Sequence, residues 1–188
     1  MIGTLLVKVM RGLGVNCDIT VAEPSAFHAD YVRKAGADRV INGGIIEKAQ
    51  EITGGRAYKP LIGERILMGG FDKVFDVVAH RRTLNSALRV TKAMGTIVVL
   101  GIGKDARLDL TPLWLKIQNI KGAYAYGYNE SQGTKRHAFE MALEMMGRGD
   151  TRVEDMLTHK FAIDEYQEMI EVSLQKDRYQ AIKTAIAF

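Results

Sequence analysis

Glu23 stands at the end of a short β-type run, Cys17-Asp18-Ile19-Thr20-Val21-Ala22, and about 20 positions after Gly3, which opens an apolar helical run from Thr4 to Leu13. Glycine, helix, strand and acid, in that order, suit one chemistry. A glycine at a helix start lets a phosphate reach backbone N–H groups and the positive end of the helix dipole. A carboxylate at the tip of the next strand accepts hydrogen bonds from ribose hydroxyls. Met1-Ile2-Gly3 therefore reads as the last three residues of a Gly-x-Gly-x-x-Gly dinucleotide fingerprint. The chain is expected to begin inside that motif, without the strand that would carry it. The charge of Glu23 would repel the extra phosphate of NADP, which makes NAD the expected cofactor.

Other chemistries find little support. His80, His137 and His159 lie far apart and form no His-x3-His spacing, so no metal site is expected. The single cysteine, Cys17, excludes an internal disulfide and a Cys-rich zinc site, and its place early in a strand predicts a buried small hydrophobe. A Gly-x-Ser-x-Gly nucleophile motif is absent, and no catalytic residue is assigned. The net charge of +4 comes from basic residues scattered among acids, which reads as a solvated surface rather than a nucleic-acid stripe. No apolar run approaches the ~20 residues that span a bilayer. No signal-peptide pattern opens the chain, so a cytoplasmic location and no membrane partner are expected.

Helical and strand-type apolar periods alternate along the chain. They predict an α/β, Rossmann-like, doubly wound and mostly parallel sheet, incomplete at its first strand. Helices are expected at 3–13, 24–34, 45–53, 83–92, within 109–117, and at 134–146 and 164–174. Strands are expected at 18–22, 39–41, 73–78, 96–100, 121–126, 159–162 and 182–187. Residues 56–70 read as a loop insertion with a short strand at 65–67. The absent strand would be central in the sheet order. Another segment is expected to fill its place, or the two halves to close together, or upstream sequence to supply it.

Several stretches resemble one family. Val-Ala-Glu-Pro-Ser-Ala-Phe at 21–27, Ala-Gly-Ala-Asp-Arg-Val-Ile-Asn at 35–42, Gly-Phe-Asp-Lys-Val-Phe-Asp-Val-Val at 70–78, Gly-Thr-Ile-Val-Val-Leu-Gly at 95–101 and Ile-Lys-Gly-Ala-Tyr at 120–124 follow one another as in the medium-chain zinc-type alcohol dehydrogenases, nearest the threonine and polyol dehydrogenase branch. The resemblance implies a dinucleotide-binding domain at 1–150 and, at 151–188, the segment returning to the catalytic domain. It implies cofactor contacts at Gly3, Glu23, His28, Val78, Ala79, Gly101, Ile102, Ala123 and Ala125, with backbone after the fourth, fifth and sixth strands facing the nicotinamide. His28 stands where the branch often has a basic residue, which again favours NAD. Arg81 and Arg82 replace the family's small residues, either adding phosphate contact or obstructing the cleft, or simply opening a solvated helix.

The family's zinc ligands lie in an N-terminal domain, and none is found in this chain. The resemblance thus implies the cofactor-binding portion of an NAD-dependent alcohol or polyol dehydrogenase, inactive alone. It also implies homodimers paired through the edge at 121–126. Two alternatives stand beside it. One is a non-catalytic nucleotide-binding or dimerisation module; the other is an NADPH-dependent quinone reductase relative, against which Glu23 argues.

Overall fold

The structure is a computed structural model that describes residues 1–104, 107–124, 126–131 and 133–188. The elements run α1 (Ile2–Gly12), β1 (Thr20–Ala22), α2 (Ala26–Lys34), β2 (Arg39–Ile41), α3 (Ile45–Thr53), β3 (Arg56–Tyr58), β4 (Ile66–Met68), β5 (Phe71–Asp76), α4 (Arg81–Val90) and β6 (Thr91–Val99). After these come α5 (Thr111–Leu115), β7 (Asn119–Gly122), β8 (Tyr128–Ser131), β9 (Thr134–His137), α6 (Ala138–Gly147), β10 (Leu157–Phe161), α7 (Tyr166–Leu174), α8 (Lys176–Tyr179) and β11 (Lys183–Ile186). The chain divides into two compact units, residues 1–43 with 126–188 and residues 44–125. This division by packing cuts across the 1–150 and 151–188 division implied by the family resemblance.

In the first unit β1 and β2 pair in parallel, with Val21 opposite Val40. Helix α1 turns Val7 inward onto Ile19, Val32 and Ala37, a small core made by one face of each neighbouring element. Arg11 ties the turns around it. Its guanidinium donates to the Gly36 and Cys17 carbonyls, each at 2.9 Å, and to the Asp38 carboxylate at 2.5 Å. The Ile19 amide donates to the same carboxylate and is the chief reason Asp38 stays below the usual range, with Arg11 adding to it.

Lys8 on the same helix donates to Asp155 at 2.6 Å and to the Arg152 carbonyl at 2.9 Å. Tyr31 of α2 donates its phenol to the other Asp155 oxygen at 2.7 Å. Burial works to raise the Asp155 carboxyl, but Lys8 and Tyr31 outweigh it and hold it below its ordinary value. Asp155→Ala therefore breaks two charge-assisted bonds on a partly exposed group. It is expected to cost about 1 kcal/mol in urea unfolding. The contribution of Asp155 fades as pH falls through its folded-state pKa, because the depressed carboxyl must then take a proton.

Residues 134–146 do not form one helix. Gly133 adopts φ 76° and turns the chain between β8 and β9, which pair antiparallel. Helix α6 begins only at Ala138. There the His137 amide donates to Glu140 and the His137 ring accepts from the Phe139 amide, a reciprocal cap that fixes the start. The unit closes with β10 and β11 in parallel, packed on α7 through Phe161, Val172 and Ala181. Cys17 is exposed rather than buried, since β1 starts at Thr20 and leaves it in the preceding turn.

The second unit carries a parallel sheet in the order β5-β6-β7. Its strands are displaced from expectation. Strand β5 begins at Phe71, β6 begins at Thr91 directly from α4, and β7 ends at Gly122 rather than running to 126. The expected insertion at 56–70 is a β3–β4 hairpin with Ala57 opposite Leu67. Leu67 is fully buried against Ala49 and Val90, so its burial and not its local pattern makes the strand.

Lys116 is buried, and its ammonium donates to the carbonyls of Leu67 at 3.2 Å, Arg89 at 2.9 Å and Thr91. Gln118 donates to Leu88 and Thr91 at 3.0 and 2.7 Å. Together they satisfy the free carbonyls at the C-terminal end of α4.

Candidate functional site

In the second unit the register brings Asp76, Val99 and Gly122 into one row across the sheet. The chain leaves all three strands at that row, so Val78-Ala79, Gly101-Ile102 and Ala123 follow from one carboxyl edge. Open α/β sheets bind ligands at that edge. Val78 and Ile102 are exposed there, Ile102 at 94%, and Tyr124 is equally bare. Bare apolar groups at such an edge suit a flat ring. The Ala123 amide is already used, donating to the Val99 carbonyl at 2.9 Å. Ala125 lies outside the described residues.

The two loops at this edge approach closely. A Cβ on Gly101 would lie 2.2 Å from the Val78 carbonyl carbon and 2.6 Å from the Ala79 nitrogen. On Gly103 it would lie 2.4 Å from the Ala79 oxygen. Ala79 itself is buried and takes φ 57°, a left-handed conformation uncommon for a residue with a Cβ. Asp76 holds it there, since its Oδ1 accepts the amides of Val78 at 3.0 Å and Ala79 at 2.8 Å. This residue was missed from the sequence. The signal available was an acid following the apolar pair Val74-Phe75 at the end of a strand. Arg81 and Arg82 open α4 as exposed residues, beside a cap in which His80 and Thr83 bond reciprocally.

The first unit places Glu23 directly after β1, half-buried, with its amide donating to Ile41 at 3.0 Å. One Glu23 oxygen accepts the Ser25 amide at 3.0 Å; Pro24 between them has no donor to offer. Ser25 caps α2, accepting the His28 amide, and its hydroxyl donates to Asp177. His28 turns its ring toward the C-terminal segment, where Nε2 lies 3.1 Å from the Ala181 carbonyl and so acts as donor. Nδ1 is 3.9 Å from Asp177. A cavity of about 400 Å³ opens between His28 and the 173–178 turn. Gly3 sits in the first turn of α1, which has neither a side-chain cap nor an acid there, so its leading amides remain available to an anion.

Among the described residues, no three His, Cys, Asp or Glu side chains stand close enough to hold a metal ion. The zinc implied by the family resemblance therefore finds no ligand set among the described residues. Among the described residues no helix is long and apolar enough to cross a membrane.

Parallel strands whose chain leaves at one carboxyl edge, with Gly101-Ile102-Gly103 after β6, define a Rossmann-like α/β protein. The chain belongs to the zinc-binding dehydrogenase family, whose model matches residues 2–148. An L-threonine 3-dehydrogenase of Paraburkholderia phytofirmans is 22% identical over 184 residues, 96% of this chain and 48% of that protein. An L-idonate 5-dehydrogenase of Vitis vinifera is 26% identical over 120 residues, 63% of this chain and 28% of that protein. Among solved structures, a short-chain alcohol dehydrogenase of Escherichia coli CFT073 in complex with NADH superposes with a TM-score of 0.75 at 18% identity. That match covers 100% of this chain and 49% of the other, and it bears on the fold alone. The chain thus spans at most about half the length of these relatives.

Proposed function

We propose that this chain is the cofactor-binding portion of an NAD-dependent alcohol or polyol dehydrogenase, with residues 1–150 as the dinucleotide-binding domain and 151–188 as the segment returning to the catalytic domain. The observation that carries the reading is the common carboxyl edge of β5, β6 and β7, with its exposed Val78 and Ile102. The second unit then offers Val78, Ala79, Gly101, Ile102, Ala123 and Ala125 to the nicotinamide end.

Gly3, Glu23 and His28 of the first unit serve the phosphate and adenosine end. The half-buried Glu23 carboxylate supports NAD over NADP, because a 2′-phosphate beside it would meet like charge. It also argues against the NADPH-dependent quinone reductase reading. When bound, the cofactor supplies or accepts a hydride. The chain's own residues bind and orient it, and no residue here is given a catalytic role. Dehydrogenase activity of this chain alone is expected to be nil, and the cytoplasm is the proposed location.

Strand β7 supports the partner reading. All four of its residues are exposed, and among the described residues it pairs with β6 on one side only. Pairing of that edge with a second copy would make a homodimer. A non-catalytic nucleotide-binding or dimerisation module would use the same features.

Quenching of protein fluorescence during titration with NADH and NADPH tests the cofactor assignment. The wild-type chain is expected to bind NADH more tightly. Glu23→Ala is expected to weaken NADH about tenfold, as lost hydrogen bonds to a charged group do, and to narrow the gap to NADPH. Equal binding of the two nucleotides by the wild-type chain would sink the NAD assignment.

A further inference from the structure

Asp76 is the one acid in the second unit's parallel sheet that is nearly fully enclosed, at 5% exposure. A carboxylate so enclosed normally pairs with a cation, yet among the described residues Asp76 enters no ion pair. Its bonds go to backbone instead. Oδ1 takes the Val78 and Ala79 amides, and its main-chain oxygen takes the Leu100 amide at 2.9 Å and the Gly101 amide at 3.0 Å. The carboxylate therefore fixes the loop after β5, while the main-chain oxygen of the same residue holds the loop after β6 beside it.

The consequence is local and geometric. Two amides drawn onto one oxygen curl the chain after β5 and hold Ala79 left-handed at φ 57°. The same curl sets the Val78 carbonyl against Gly101, in the space that a Cβ would fill. It leaves the Val78 side chain exposed beside Ile102. Among the described residues Oδ2 is enclosed without a partner, which is costly and is not needed to build a strand end. A turn that merely joined β5 to α4 would be served by an exposed Asn or Ser.

We infer that Asp76 is a positioning residue that presents the Val78-Ala79 and Gly101-Ile102 backbone to the nicotinamide end of the dinucleotide. The inference rests on the NAD-binding reading above and adds to it the residue that shapes that end. Asp76 touches no ligand in this account; it acts through the two loops.

The test compares NADH with ADP-ribose, which lacks the nicotinamide, on the whole chain and its variants. Asp76→Ala is expected to weaken NADH about tenfold and leave ADP-ribose unchanged. It should also abolish any blue shift of bound NADH emission. Asp76→Asn keeps an acceptor oxygen in place and is expected to restore NADH to within about threefold of wild type. If Asp76→Ala does not fold, Asp76→Ser, with a single short acceptor, should show the same split between ligands.

Equal weakening of both ligands would mean that Asp76 only supports the fold, and would overturn the inference. So would an Asp76→Ala chain that binds NADH normally. A wild-type chain that binds ADP-ribose no less tightly than NADH overturns the inference while leaving the adenosine end standing. A wild-type chain that binds neither removes the dinucleotide reading itself.

Discussion

Gly101→Ala is expected to lower stability by about 3 kcal/mol, at the upper end of the usual cost of overpacking. The methyl group would arrive 2.2 Å from the Val78 carbonyl carbon, 2.5 Å from its oxygen and 2.6 Å from the Ala79 nitrogen. All three are backbone atoms, so no rotamer change can make room. Neither loop can simply retreat, because Gly101 and Leu100 donate to the Asp76 carbonyl while Val78 and Ala79 donate to its side chain. Relief means breaking those bonds and pulling the ends of β5 and β6 apart. Gly122→Ala is the control, since nothing lies within 4 Å of a Cβ there. Urea unfolding should show a large drop for the first variant and almost none for the second. A loss below about 1 kcal/mol for Gly101→Ala would show that the loops separate freely and that their close approach is not required.

Lys116→Met is expected to cost a comparable amount, about 3 kcal/mol, for a different reason. Methionine keeps the length of the chain but has no donor. The carbonyls of Leu67, Arg89 and Thr91 would then lose the ammonium that serves them from a fully enclosed position. The pH dependence gives a second signature. Burial pushes the Lys116 ammonium down from 10.5 to about 8. Between those values the unfolded chain holds more protons at this site than the folded chain, so stability rises with pH through the window. Below about pH 8 both states are protonated and this term is flat. The stability gap between wild type and Lys116→Met should therefore widen as pH rises from about 8 toward 10.5. A gap that narrows over that range would mean the three carbonyls hold the charged form more firmly than burial disfavours it.

Helix α3 shows how much of the fold is legible locally. Its expected bounds, 45–53, are those observed, because Gly44 at φ 56° and Gly54 at φ 67° stop the helix at both ends with residues that need no Cβ. Strand β2 was equally legible; α2, expected from 24, begins at Ala26 because Ser25 caps it by accepting the His28 amide. Misreadings gathered where an element depends on a distant partner. Residues 134–137 precede the helical apolar spacing of Ala138, Met141, Ala142 and Met145 and form a strand because 128–131 lies beside them. The 56–58 strand, read as loop, forms by pairing with 66–68, which is the short strand expected at 65–67. Cys17 fell outside β1 because only three residues of that run find partners in β2.

The site divides along the same line. Glu23 was legible because a strand tip followed by Pro-Ser is a local arrangement, with Glu23 bonding an amide two residues on. Gly101 and Ile102 were legible as the end of a buried apolar run. Asp76 and Lys116 were not: Asp76 bonds nearby amides but owes its enclosure to the fold around it, and Lys116 reaches over 49 residues to Leu67. The sequence by itself determined the alternation of helices and strands, the acid at the tip of β1, the glycines after β6 and the family to which the chain belongs. Only the tertiary structure decided which backbone groups those glycines admit, which acid shapes the loops and which lysine closes α4. Local propensities act over a turn or two, whereas burying a charge or a carbonyl is settled by whatever residues the fold brings to it.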